Sequence, residues 1–150
     1  MVETGIIFPE VGDMMKLVID TNRIMAGLLK DPASRRIILH DSFSFYAPDY
    51  IETELFKHRS YLVKKAKIPE DDFDLLMQVL LDNVELVPFE DFAGEYDRAM
   101  SIMEPVDEND APFLAVGLAL GIEGIWTEDR HFLRQDLVNV YSTRDLIGTL

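Results

Sequence analysis

Four carboxylates stand out by where they fall in the chain: Asp20, Glu54, Asp110 and Asp129. Asp20 closes the run Leu17-Val18-Ile19 and is followed by Thr21 and Asn22. Asp129 follows Gly124-Ile125-Trp126 and the pair Thr127-Glu128. Short β-branched runs read as buried strands, and a polar exit marks the end that meets solvent. In open α/β sheets, sites form outside the carboxyl ends of parallel strands. Two strands that each deliver an aspartate at the exit suggest one shared acidic site. Glu54 falls about 60° from Ile51 on a helical wheel, at the edge of an apolar face, where a carboxylate needs a cation or hydrogen bonds. Crowded carboxylates repel unless a proton or a metal ion intervenes. Oxygen-only ligands suit Mg2+ or Mn2+ better than zinc.

Each acid also has an ordinary structural role open to it. Asp20 and Asp110 are placed to cap helices, the latter just before Ala111-Pro112, and Asp129 fits a turn. With only His40, His58 and His131 present, a histidine-based site is not expected. His58, one turn after Glu54, reads as packing, and Met77, Met100 and Met103 as core filling. The glycine-rich phosphate loop, the dinucleotide fingerprint, HExxH and GxSxG are all absent from the sequence. The common nucleotide-binding, zinc-protease and serine-hydrolase chemistries go with them.

The elements that must position these acids follow from periodicity. Strands are predicted at Leu17–Ile19, Phe43–Ala47, Val84–Val87, 124–127 and Val138–Tyr141. A first helix carries Ile24, Met25, Leu28 and Leu29; Asp31-Pro32 breaks it, and Ala33–His40 begins another. Pro48-Asp49 opens a helix with Asp49 and Glu52 in capping-box register. Its apolar stripe is Ile51, Leu55, Leu62 and Ala66, and lysines 64, 65 and 67 complement the dipole at its end. Further helices are predicted at Asp71–Leu81, Phe92–Met103 and Ala111–Leu120, where Ala115, Gly117 and Ala119 allow close approach to a sheet. A short helix begins at Thr143. Strands alternating with helices predict an α/β fold with a parallel sheet between helical layers.

With 150 residues, 48% of them hydrophobic and spread along the chain, one domain with an ordinary core is expected. No apolar run reaches the roughly 18 residues that a membrane span needs, and MVETGIIFPEVG lacks the basic start of a secretory signal. The absence of cysteine removes disulfides and thiolate metal sites and fits a reducing, cytoplasmic setting. Residues 1–15 read as an N-terminal extension, in which Ile6-Ile7-Phe8 could pair as an edge strand, and 16–150 as the domain itself. The 28 acids outnumber 14 bases, for a net charge of −14. That balance argues against an extended metal-free nucleic-acid surface. It leaves room for acids that hold cations, which in turn meet phosphate.

Taken together, Asp20-Thr21-Asn22 after a first strand, Glu54 on the helix after Pro48-Asp49, Asp110 in DENDAPFLAVGLALG and Thr127-Glu128-Asp129 after a late strand resemble a PIN domain. The likeness runs from Lys16 to Leu150, and the segment EPVDENDAPFLAVGLALGIEGIWTEDRHF is particularly similar to archaeal members. The resemblance implies a three-layer α/β/α sandwich around a five-stranded parallel sheet, and metal-dependent endonuclease action on RNA. Many members are toxins of VapC-like toxin–antitoxin pairs, and others process ribosomal or messenger RNA. By resemblance, Asp20, Glu54, Asp110 and Asp129 form the acidic quartet that holds one or two Mg2+ or Mn2+ ions. Asp20 and Asp129 would be the principal ligands, with Asp110 and Glu54 direct or through water. Thr21, Asn22 and Thr127 match the polar positions that orient the quartet. Asp107, three residues before Asp110 at the same loop-to-helix entry, is a candidate fifth acid. Arg23, Arg130 and Arg134 lie near these acids in sequence and are candidates for flanking phosphates, although solvated surface charge is the plainer role for each.

The partners implied are an RNA substrate, a small antitoxin protein and a second copy of the chain. A homodimer is also expected because the apolar residues at 24–29 and 71–81 exceed what one core can bury. Two other functions compete. A PIN-fold module could bind RNA or protein without cutting, though all four acids are in place. A phosphoryl-transfer or receiver-like domain also sets an Asp at a strand exit. A haloacid-type phosphatase, however, would want a second Asp where Asn22 stands and a lysine after a later strand.

Overall fold

The computed structural model describes residues 14–105 and 107–150. The expected extension, with the pairing expected of Ile6-Ile7-Phe8, lies outside the described residues except for its last two positions. Met15 already belongs to the first strand.

Five strands, Met15–Ile19 (β1), Phe43–Pro48 (β2), Val84–Val87 (β3), Gly124–Trp126 (β4) and Asn139–Tyr141 (β5), form a sheet in the order β3-β2-β1-β4-β5. Every pairing is parallel. Leu17, Val18 and Ile19 are fully buried, as a central parallel strand covered on both faces requires. Strand order reverses at β1: the chain moves outward through β2 and β3, then crosses to β4 and β5. A crevice opens at such a switch point, outside the carboxyl ends of β1 and β4.

The helices are Thr21–Leu28 (α1), Pro32–Ile38 (α2), Ile51–Lys57 (α3), Arg59–Ala66 (α4), Glu70–Asp82 (α5), Phe89–Met103 (α6), Ala111–Leu120 (α7) and Thr143–Ile147 (α8). α7 packs on β1, β2 and β4 with α6 beside it, while α1 packs with α2 and α5, and α2 with α8. Right-handed crossovers in the two chain directions put these groups on opposite faces. The three-layer α/β/α sandwich is the result. α7 reaches the sheet closely because of Gly117, where an added Cβ would meet Val138 Cγ2 at 3.2 Å and Val18 Cγ2 at 3.6 Å. Gly121, at φ 64°, ends the helix in the left-handed region that glycine adopts at little cost.

Three local expectations are corrected. The single helix expected after Pro48 divides at His58, whose amide reaches back to the Glu54 and Leu55 carbonyls. Its stripe of Ile51, Leu55, Leu62 and Ala66 is nonetheless buried throughout. The Asp49–Glu52 capping box does not form: α3 begins after Tyr50, with no side-chain cap. α6 starts at Phe89, directly after Pro88, which stands at the N-cap in extended conformation. Asp31-Pro32 both ends α1 and starts α2, with the Asp31 carboxylate accepting from the Ser34 amide at 3.3 Å. As for surplus apolar surface, Ile24 and Leu28 of α1 are fully buried. On α5, Leu75 and Val79, one turn apart, are 66% and 38% exposed.

Candidate metal centre

β1 and β4 end level because Ile19 pairs with Trp126. One step further, the Asp20 amide donates to the Trp126 carbonyl at 3.1 Å, and the Thr127 amide donates to Tyr141 at the same distance. Asp20 and Thr127 are thereby set side by side. The buried Thr127 hydroxyl donates to Asp20 Oδ2 at 2.7 Å and accepts from the Asp129 amide at 2.9 Å. One hydroxyl thus fixes both strand-exit aspartates. Asp20 Oδ1 also accepts from the Asn22 amide at 3.3 Å, capping α1. Its capping and positional roles coincide. Burial pushes the Asp20 carboxyl up, against the pull of these two hydrogen bonds.

Asp110 ends a short 3-10 turn, Glu108–Asp110, at the mouth of α7. It caps nothing with its side chain, so the capping role expected as its plain alternative is not filled. Asp110 Oδ2 is buried without a hydrogen-bond partner among the described residues. Burial first, then the charges of Asp129, Asp107 and Asp20, push its carboxyl up to about 7, with His131 pulling the other way. Asp107 sits across the same turn, its carboxylate accepting from the Asn109 amide at 2.9 Å.

The next neighbour is one that sequence reasoning passed over. The Asp129 carboxylate accepts from the His131 amide at 2.8 Å, and that tight turn swings the imidazole back over the acids. His131 Nδ1 lies 3.2 Å from Asp129 Oδ1, 3.5 Å from Asp110 Oδ2 and 3.7 Å from Asp107 Oδ2. One ligand atom from each of Asp107, Asp110, Asp129 and His131 lies within 4.8 Å of the others. This donor set fits a divalent cation: three carboxylates supply hard oxygens, and the buried Asp110 Oδ2 has no hydrogen bond among the described residues to offset its burial. A histidine-based site is not expected from the sequence, and the group remains mainly carboxylate, with His131 joining the three acids as a candidate ligand. Spacing alone hides it, since the contact depends on how residues 129–131 turn.

Asp20 stands beside this group, near enough for its charge to act on Asp110. Glu54 is further out, about half exposed, with Oε2 3.8 Å from His58 Nε2. Tyr50 connects it to the rest. Burial, then the charges of Glu54, Asp110, Tyr96 and Asp20, push the Tyr50 phenol up to about 12. It is therefore a hydroxyl donor at neutral pH, a second site neighbour without a motif to announce it. Thr21 opens α1 half-buried, and the Asn22 side chain faces solvent while its amide serves Asp20.

The arginines separate. Arg130 and Arg134 are exposed on the 3-10 turn after Asp129. Arg130 lines a cavity of about 210 Å3 with Glu128, Leu133 and Ser142. Arg23 turns away from solvent, donating to Ser34 Oγ at 3.5 Å and Thr143 Oγ1 at 3.4 Å, with Asp31 at 4.0 Å. Its guanidinium braces α1 against α2 and α8 rather than reaching outward.

A profile of the PIN domain matches residues 18–146. The chain belongs to the PIN domain family. Comparison with curated proteins yields no match. Among solved structures, the chain is similar to one in the crystal structure of VapBC2 from Rickettsia felis bound to a DNA fragment from their promoter. The TM-score is 0.63 at 17% identity, over 85% of this chain and 98% of that one. At that identity the likeness speaks for the fold. The five-stranded parallel sheet and its helical layers are those of a PIN domain, a family whose members are generally metal-dependent nucleases. No helix among the described residues is long and apolar enough to cross a membrane.

Proposed function

We propose that this PIN domain, residues 16–150 with 1–15 as an extension, is a metal-dependent endoribonuclease that hydrolyses phosphodiester bonds of RNA in the cytoplasm. The carrying observation is the buried, unpartnered Asp110 Oδ2 amid Asp107, Asp129 and His131. Those residues would hold Mg2+ or Mn2+, with Asp20 beside them to complete the charge. When bound, such an ion lowers the pKa of a water and offsets charge on the phosphate. Thr127 keeps Asp20 and Asp129 at fixed spacing, so little reorganisation is left for the reaction. Glu54, at the rim with its carboxylate 3.8 Å from the His58 ring, is the carboxylate left to take the proton of the attacking water. Arg130 and Arg134, exposed on the turn after Asp129, would meet phosphates flanking the cut.

Similarity to a chain of VapBC2 favours the toxin half of a VapC-like pair, with a small antitoxin as partner. The exposed Leu75 and Val79 on α5 offer an apolar strip for a second copy of the chain. A single-stranded RNA panel with Mn2+ or Mg2+ tests the activity. Cutting is expected, with loss in chelator. An intact panel would overturn the nuclease in favour of a binding module, and cutting unaffected by chelator would overturn the metal.

A further inference from the structure

Past the carboxyl ends of β2 and β3, Pro48, Tyr50, Phe89, Phe92, Tyr96 and Pro112 line a cavity of about 250 Å3, with Asp49 the one charged member among the described residues. Phe89 meets Phe92 and Tyr96 edge-on, at centroid distances of 5.2 and 5.6 Å. Tyr50 is backed by Phe113 at 6.3 Å. Phe89 is 52% exposed and Tyr50 38%, so two rings held from behind still show apolar surface to solvent. Such rings are normally covered, and these open beside the acidic centre: Tyr50 feels the charges of Glu54, Asp110 and Asp20, and Pro112 lies two residues from Asp110.

We infer that this cavity is a stacking site for one base of a single RNA strand laid across the acidic centre, an inference that rests on the nuclease function proposed above. Aromatic walls without a cation suit a neutral flat base and not a phosphate. The sheet order sets the geometry. The exposed Arg130 and Arg134 follow β4, the acids gather at β1 and β4, and the cavity lies past β2 and β3. A strand crossing the ions would run from arginines at one end to aromatic rings at the other. Charge gives the reason for such a device. With a net charge of −14, the chain has few cations for phosphate contacts, the usual source of affinity. Stacking is indifferent to backbone charge and tolerant of base identity. A second copy of the chain fits less well, since a two-fold contact would present the same concavity rather than a group to fill it.

The test uses the full chain with Ca2+ in place of Mn2+, so that the acids stay neutralised while binding is read, and short single-stranded RNAs carrying one abasic nucleotide at each position in turn. One abasic position should weaken binding to the unaltered protein about tenfold, equivalent to about 1.4 kcal/mol. Phe89→Ala should show that same loss with intact RNA and no further loss with the abasic strand. Phe89→Trp supplies a check on a folded protein, because the chain's other tryptophan, Trp126, is fully buried. Emission from the new indole should be quenched by intact RNA and not by the strand abasic at that position. Equal abasic penalties in the unaltered protein and Phe89→Ala would overturn the stacking site. So would a Phe89→Ala protein that turns from dimer to monomer with RNA affinity unchanged. If RNA is cut with Mn2+ and no position shows the coupling, the stacking site fails while the nuclease stands. If coupling appears and nothing is cut, the nuclease fails while the base site stands.

Discussion

Asp20 and Asp110 are both buried aspartates at the start of a helix, 7% and 9% exposed, yet their surroundings are opposite. Both Asp20 oxygens are met, one by the Thr127 hydroxyl and one by the Asn22 amide. Among the described residues Asp110 Oδ2 has no hydrogen-bond partner, only His131 Nδ1 at 3.5 Å, and three further carboxylates act on it. Asp20 belongs to a wall built from strand ends, where the ladder itself sets the spacing. Asp110 belongs to a turn that gathers Asp107 and, from the next loop, Asp129 and His131. The contrast separates positioning from binding. One half of the site is finished by the fold, and the other is left short of a positive charge.

The largest break in that contrast is Asp110→Asn. In the metal-free protein the folded Asp110 carboxyl keeps its proton up to about 7, whereas in the unfolded chain it gives the proton up near its ordinary value of about 4. Between those values the folded state binds more protons, so stability falls as pH rises through the window and levels off above it. Asp110→Asn should remove that part of the slope, and near pH 7.5 the metal-free variant should melt no lower than the unaltered protein. Metal acts in reverse. A cation that binds only the folded state stabilises it by about 2.7 kcal/mol at a hundredfold excess over its Kd, and the variant should lose most of that rise. Melting curves at pH 5, 6, 7 and 8, with and without Mn2+, measure both. An unchanged slope together with an unchanged metal response would reduce Asp110 to a turn residue.

Much of the wall was legible in the sequence, and much of the turn was not. β-Branched runs with acid exits mark β1 and β4, because a strand ending in the core must end somewhere wet. Apolarity on nearly every side and the stop at Gly121 gave the length of α7, and its small residues gave the close approach at Gly117. Asp107 was accessible as a neighbour three residues before Asp110. His131 was not, since its contact with Asp110 arises from a tight turn at Asp129 and from the packing of residues 130–134 against α6. The break at His58 was equally hidden: Leu55 and Leu62 are seven residues apart and share a face in a continuous helix as well as in a divided one. Arg23 illustrates the converse. Adjacency to Asp20 in sequence suggested phosphate, while the fold turned its guanidinium to Ser34 and Thr143.

Thr127→Val probes the wall with a smaller expected effect. The valine keeps the shape but strands Asp20 Oδ2 and the Asp129 amide, each of which loses its partner. Leaving a buried polar group unsatisfied costs about 1–3 kcal/mol, and denaturant titration of the metal-free protein should show a loss in that range. The Asp20 carboxyl, relieved of a bond that favours its charged form, should move further up. A variant as stable as the unaltered protein would mean that water replaces the hydroxyl and that the spacing of the two aspartates is not fixed by Thr127.

The smallest effect expected is at His131, and it sharpens the other half of the contrast. The three carboxylates alone are a hard oxygen set, equally suited to Mg2+ and Mn2+. An imidazole nitrogen adds a ligand type that transition metals accept and that Mg2+ disfavours. Its side chain is 47% exposed and lies no closer than 3.2 Å to any of the three acids, so removing it should cost little stability. His131→Ala should therefore weaken Mn2+ binding by roughly a tenfold factor, about 1.4 kcal/mol, and leave Mg2+ binding close to unchanged. Paired calorimetric titrations of the two ions measure the ratio directly. An unchanged or raised affinity for both would mean that the imidazole does not ligate the ion, and equal weakening of both would mean that it only holds the turn that gathers the acids. A selective loss of Mn2+ affinity would make its ring nitrogen a ligand, and the site one that distinguishes ions by the turn at Asp129.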